Sequence, residues 1–391
     1  MSLRLDQIIH DIENLAVSLD PGARREWLDA ARRLMRDYDR DRLDEKLAPH
    51  HDPRARMIAP QPLGALDERV PAPEPPRTYS VVAADGSSMP PDRNSPARFY
   101  LLNMGLVTLR YGDAPGATID SVARLYHRTE ELFWDDRRQQ PMNEQRLNLL
   151  MRVEELAALP ALARQMPEPC VALVDGQLVM WGLRNEQADR WGLMELMLDA
   201  FDQLRDLRVP VLGYISNTES LELVKALRIY LCPTTPENCR RCHAQGPEEV
   251  RLCYHLGGFR DPALLFEFLE AGERSCLFAS QDPIMARYTP DHRIHYFYMS
   301  TGDEIARIEM PRWVSDDPEL FALAHGVLLD QNRRAGLAPP YPPALHEAHE
   351  AAVINTGDRE AVRLLIAQQL QRAGLSTFRP AKAFHKRLRG V

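Results

Sequence analysis

The chain has 391 residues, 45% of them hydrophobic and 27% charged, which supplies one large core or two ordinary ones and excludes a disordered adaptor. Its formal charge of -8 excludes a protein that coats nucleic acid indiscriminately, but not a nuclease, whose cation-holding site is itself acidic. No run approaches the roughly 18 apolar residues of a spanning helix, and the start MSLRLDQIIHDIENL is acidic where a signal peptide is apolar, so a cytoplasmic protein without membrane contact is expected.

Leu5, Ile8, Ile9, Ile12, Leu15 and Leu19 recur at helical spacing, and Trp27, Leu28, Leu34, Tyr38 and Leu47 continue the period after Pro21-Gly22. Residues 1–47 therefore read as an N-terminal helical segment whose apolar stripe is core or a docking face. Residues 48–78, with Pro49, Pro53, Pro60, Pro62, Pro71, Pro73, Pro75 and Pro76, read as a proline-rich linker.

From Tyr79 the texture changes to short apolar runs: YSVVAADGS, FYLLNMGLVTLRYG, CVALVDGQLVMWGL and VPVLGYIS. A polar, helix-prone segment separates the second run from the third, and residues 141–159 have the spacing of a helix carrying Glu154 and Glu155. RSCLFAS, IHYFYMST and EIARIEMPRWV are strand-like, and helical runs follow over 317–334, 342–355 and 358–373. The pattern predicts an α/β domain over 79–375, a mixed sheet with flanking helices.

Asp85 and Asp175 each end an apolar run and each precede a glycine. An isolated Asp-Gly pair most often only starts a turn. Two matching pairs, however, deliver two carboxylates to the rim of one sheet, and a third from Glu154 or Glu155 completes a cage for a hard cation such as Mg²⁺ or Mn²⁺. Near the end, YPPALHEAH sets His346 and His349 one turn apart. His349 is a candidate metal ligand or proton carrier against the plainer reading of a surface histidine, and Tyr341 either positions phosphate or water or simply packs.

Between 230 and 258 lies a cysteine-bearing insertion, Cys232, Cys239, Cys242 and Cys253, spaced C-x6-C-x2-C-x10-C. Its central pair suits structural Zn²⁺; an iron–sulfur cluster and plain thiols are the alternatives. The tail 376–391 carries Arg379, Lys382, Lys386 and Arg387, either a solvated terminus or a phosphate-contacting arm. No Walker-type glycine loop is present, which excludes an ATPase.

From Tyr79 to about Leu370 the chain resembles the NurA nucleases, partners of the HerA hexameric ATPase. VVAADGSS, VALVDGQL, YFYMSTGDEIARIEMPRWV and YPPALHEAHEAAVI carry the resemblance by their order and spacing together. It implies a ribonuclease H-like fold, Mn²⁺-dependent (or Mg²⁺-dependent) endonuclease and 5′-to-3′ exonuclease activity on DNA, and a homodimer docked on a HerA-type ATPase in DNA end resection and repair. By motif, Asp85 and Asp175 become metal ligands with an acidic residue of the intervening helix, for which Glu155 suits the pattern better than Glu154. Tyr341 and His349 match the family's C-terminal tyrosine and histidine. Ser216 and Asn217 stand where many relatives place a lysine beside the scissile strand, so the DNA contact there is neutral in this chain. The competing reading is a catalytically inactive dimeric module that recruits or regulates the ATPase.

Overall fold

The structure is a computed structural model and describes residues 4–375 except 13–19, 53, 56, 93, 94, 96, 136–139, 185–188, 190, 235–245, 337 and 338. The chain forms two compact units. The first comprises Met1–Pro71, Asn217–Asp282 and Tyr296–Ala306; the second comprises Ala72–Ser216, Pro283–His295 and Arg307–Val391.

In the first unit, helices Pro21–Asp37 and Arg40–Leu47 start on Asp20 and Asp39, whose carboxylates accept from the first free backbone N–H groups. Their apolar stripe is core: Ala31, Met35, Leu43 and Leu47 are fully buried with Leu227, Leu256 and Tyr298, and Trp27 stacks on His255 with ring centroids 4.2 Å apart. Leu5, Ile9 and Ile12, by contrast, are exposed, and Leu15 and Leu19 lie outside the described residues. Within the segment read as a linker, Gln61–Pro62 and Val70–Pro71 form short strands and Ala59 and Leu66 are buried in the same core. The RSCLFAS run is two short strands, Glu273–Arg274 and Phe278–Ala279.

The second unit is built on a twisted sheet. Its elements in chain order are β1 (Tyr79–Met89), β2 (Tyr100–Tyr111), β3 (Gly116–Tyr126), α1 (Glu144–Ala163), β4 (Cys170–Asp175), α2 (Leu193–Asp206), β5 (Val211–Ile215), β6 (Ile305–Pro311), α3 (Pro318–Arg334), α4 (Pro343–Ala352) and α5 (Thr356–Arg372). Strands lie in the order β6-β5-β4-β1-β2-β3. The meander β1-β2-β3 is antiparallel, β4 runs parallel to β1, β5 runs parallel to β4, and Arg307–Glu309 of β6 pairs antiparallel with β5. An antiparallel meander whose first strand continues into parallel neighbours is the ribonuclease H-like arrangement, set in a mixed α/β sheet with helices on both faces.

β1 is central and buried along both faces up to its acidic end, as its near-continuous apolar run requires. α1 starts on Asn143, whose side chain accepts from the Arg146 N–H at 3.0 Å, and buries Leu147, Leu150, Val153, Leu156 and Leu159. Each such burial contributes about 1.5–3 kcal/mol relative to an exposed side chain. β3 was not legible as a strand in GATIDSVARLY: it is exposed along its length, so no burial imposes apolar alternation. Among the described residues no helix is long and apolar enough to cross a membrane.

Candidate active site

The parallel register of β1 and β4 runs from Ser80↔Cys170 to Ala84↔Val174, and the next residue on each strand is an aspartate, Asp85 and Asp175. The parallel pairing thus ends in step on the two strands, where β4 stops and β1 continues beside β2, and it leaves two carboxylates side by side. Glycine follows each. A Cβ on Gly86 would meet Glu155 Oε1 at 2.8 Å and Met151 Sδ at 2.9 Å, so the missing side chain is what lets α1 approach β1. Gly176 has φ of 108° and turns the chain away beyond Asp175.

Glu155, not Glu154, reaches this rim. Glu155 is fully buried, and burial first, then the charges of Asp85 and Asp175, hold its carboxyl well above the usual range. Glu154 points elsewhere and accepts from the Tyr126 hydroxyl at 3.1 Å. Burial also raises Asp175, against the Tyr341 hydroxyl that hydrogen-bonds it. The Tyr341 hydroxyl is in turn held protonated by burial and by Asp175, and its ring stands edge-on to Tyr214 with centroids 5.5 Å apart.

From the opposite face α4 brings His349, whose Nδ1 lies 2.8 Å from Asp85 Oδ2. Gly105, the cross-strand neighbour of Asp85, makes this approach available, since a Cβ there would sit 2.8 Å from Ala352 N and closer still to the Ala348 carbonyl. Asp175, Gly176, Ile215, Ser216, Tyr341, His346 and His349 line an open cleft of about 380 Å³.

Sequence reasoning missed Arg152. One turn before Glu155 on α1, its Nη1 donates to the Gln177 carbonyl at 3.3 Å and its Nη2 to the Asp175 carbonyl at 3.2 Å, clamping the turn that aims Asp175. The i,i+3 spacing from Glu155 was the available signal. Asn217 belongs to the first unit, where its N–H donates to Glu304 Oε2 at 3.0 Å.

Cys239, Cys242, Arg379, Lys382, Lys386 and Arg387 lie outside the described residues. Cys232 and Cys253 are buried in the first unit, their Sγ atoms 3.5 Å from Thr234 Oγ1 and 3.7 Å from the Arg228 carbonyl. Among the described residues no three His, Cys, Asp or Glu side chains are gathered closely enough to hold a metal ion as they stand.

A family model described as the NurA domain matches residues 79–354. Among solved structures, a crystal structure of NurA bound to dAMP and manganese is 14% identical, covering 93% of this chain and 98% of that one with a TM-score of 0.38. Drosophila Piwi is 8% identical over 70% of this chain and 29% of its own, with a TM-score of 0.28. Thermus thermophilus RuvC is 16% identical over 48% of this chain and 93% of its own, with a TM-score of 0.16. No curated protein matches the chain. The family match covers well over half of the 391 residues, and the chain belongs to the NurA family.

Proposed function

We propose that the chain is a divalent-metal-dependent DNA nuclease that hydrolyses phosphodiester bonds. The observation that carries this reading is the meeting of Asp85, Asp175 and Glu155 at one rim of the sheet, with Tyr341 and His349 beside them. The donor set fits a hard cation: all ligands are oxygens or an imidazole, and the buried carboxyls oppose one another's ionisation, which a cation relieves. Asp85, Glu155, Asp175 and His349 would hold the ion. When bound, Mn²⁺ or Mg²⁺ supplies Lewis-acid stabilisation of the charge that develops on phosphate oxygens and lowers the pKa of bound water.

The chain's own residues do the rest. The Asp85 carboxylate fixes the His349 ring through Nδ1 and leaves Nε2 as the nitrogen that would either bind the ion or carry a proton. The Tyr341 hydroxyl, kept protonated, donates to Asp175 and holds that carboxylate in place. Arg152 clamps the Asp175–Gln177 turn, and Ser216 offers the cleft a neutral polar contact.

Family membership supports the finer assignment: endonuclease and 5′-to-3′ exonuclease action as a homodimer with a HerA-type hexameric ATPase in end resection. The test is degradation of end-labelled linear DNA with and without divalent cation, in wild type and in variants of Asp85 and Asp175.

A further inference from the structure

β3 is the terminal strand of the second unit's sheet and stays in unbroken register with β2 from Arg110↔Gly116 to Tyr100↔Tyr126. Natural edges are blunted by Pro, charged side chains (Lys above all), bulges or shortness, and the charges of β3 are one of each sign, Asp120 and Arg124. GATIDSVARLY has neither Pro nor Lys, its ladder has no bulge, and its apolar side chains are uncovered, with Ile119 49% and Leu125 45% exposed. Such a strand is a template for another strand.

The charge pattern selects the occupant. Alternation of the antiparallel ladder allows a strand to pair with its own copy only about a central residue. Centred on Asp120 or on Arg124, like charges face each other; centred on Ser121 or Ala123, neither charge meets the other. Centred on Val122, Asp120 faces Arg124 of the second copy and Arg124 faces its Asp120. The same register sets Ile119 against Leu125 and Leu125 against Ile119 on the other face.

We infer that β3 is the contact between two copies of this chain, paired antiparallel about Val122 so that the two sheets join. It deepens the homodimer reading above by naming the face and the register. The Ser121 N–H, which donates to Asp120 Oδ1 at 2.8 Å, exchanges that local bond for the partner strand and releases the carboxylate. Arg124 sits beside Tyr126 and Glu154 of its own chain, and the incoming Asp120 joins that cluster.

Sedimentation of the full-length chain tests this with Asp120→Arg, Arg124→Asp and their equimolar mixture. Each variant alone creates two like-charge pairs and weakens the dimer Kd by at least about tenfold. In the mixture, mixed dimers regain both opposite-charge pairs, and dimer returns towards the wild-type level. As a second readout independent of those variants, oxidised Val122→Cys gives a dimer crosslinked through that position, whereas Ser121→Cys does not. Variants that dimerise like wild type, a mixture no better than its components, or no Val122→Cys crosslink would overturn the β3 contact while leaving a dimer intact. A wild-type chain that is monomeric throughout overturns the homodimer reading itself.

Discussion

His349 and Asp85, 264 residues apart in sequence, are joined by a 2.8 Å bond between Nδ1 and Oδ2. The carboxylate is 12% exposed and the imidazole 57%, so the bond fixes a ring that otherwise faces the open cleft. Replacing His349 by Ala removes the imidazole proposed above to bind the ion or carry a proton, and leaves the carboxylates in place. The expected loss in cleavage rate is about 10²–10⁴-fold, with a stability change of no more than about 1.5 kcal/mol. Single-turnover kinetics and a thermal melt check both halves; an unchanged rate removes His349 from the mechanism.

Glu154 and Glu155 are separated by their environments. Glu155→Gln abolishes cleavage yet stabilises the metal-free protein, because the amide carries no buried charge to oppose Asp85 and Asp175. For an acid whose pKa is raised on folding, stability is full below the ordinary value of 4.5 and declines as pH rises through the raised value. The variant should therefore melt higher than wild type at neutral pH without metal, by about 2–4 °C per kcal/mol relieved. Glu154→Gln keeps a side-chain oxygen that accepts from the Tyr126 hydroxyl and keeps activity within about threefold. Equal activity in Glu155→Gln, or equal loss in both variants, contradicts the assignment.

Gly105 is tested by adding one methyl group. The Cβ of Gly105→Ala runs into the backbone of α4, a rigid obstacle, and pushes away the helix that carries His349. A destabilisation of about 1–3 kcal/mol and a fall in cleavage rate are expected. Gly336→Ala, with nothing within 4 Å of the new Cβ, serves as control and stays within about 0.5 kcal/mol. Wild-type stability in Gly105→Ala would show that α4 does not pack as described.

His295 sets part of the acid limit. Burial lowers its pKa from 6.5 to about 4, and its Nδ1 lies 2.7 Å from Ser315 Oγ. The unfolded chain binds the proton more readily, so this contribution to stability is present above pH 6.5 and is lost as pH falls towards about 4. Denaturant melts of His295→Gln across that window should show a shallower decline than wild type. A parallel decline excludes His295 as its source.

The two aspartates were legible because a buried strand writes its burial into sequence: an apolar run, a carboxylate where burial ends and a glycine where a helix comes close. Which of Glu154 and Glu155 faces the site was not, since helix phase is set by packing between α1 and β1 rather than by local spacing. Glu155 in fact lies among the buried apolar positions of α1, where periodicity alone predicts a hydrophobic residue. The meeting of α4 with Asp85 depends on Gly105, a contact between distant segments that no local pattern records. β3 was unreadable for the opposite reason, having no buried face to impose a period.

The most direct measurement is cleavage of end-labelled linear DNA in Mn²⁺, Mg²⁺ or EDTA by wild type, Asp85→Ala and Asp175→Ala, with and without a HerA-type ATPase. Degradation by wild type that requires divalent cation and disappears in both variants is the expected result. DNA left equally intact by wild type and variants under every condition contradicts the nuclease assignment.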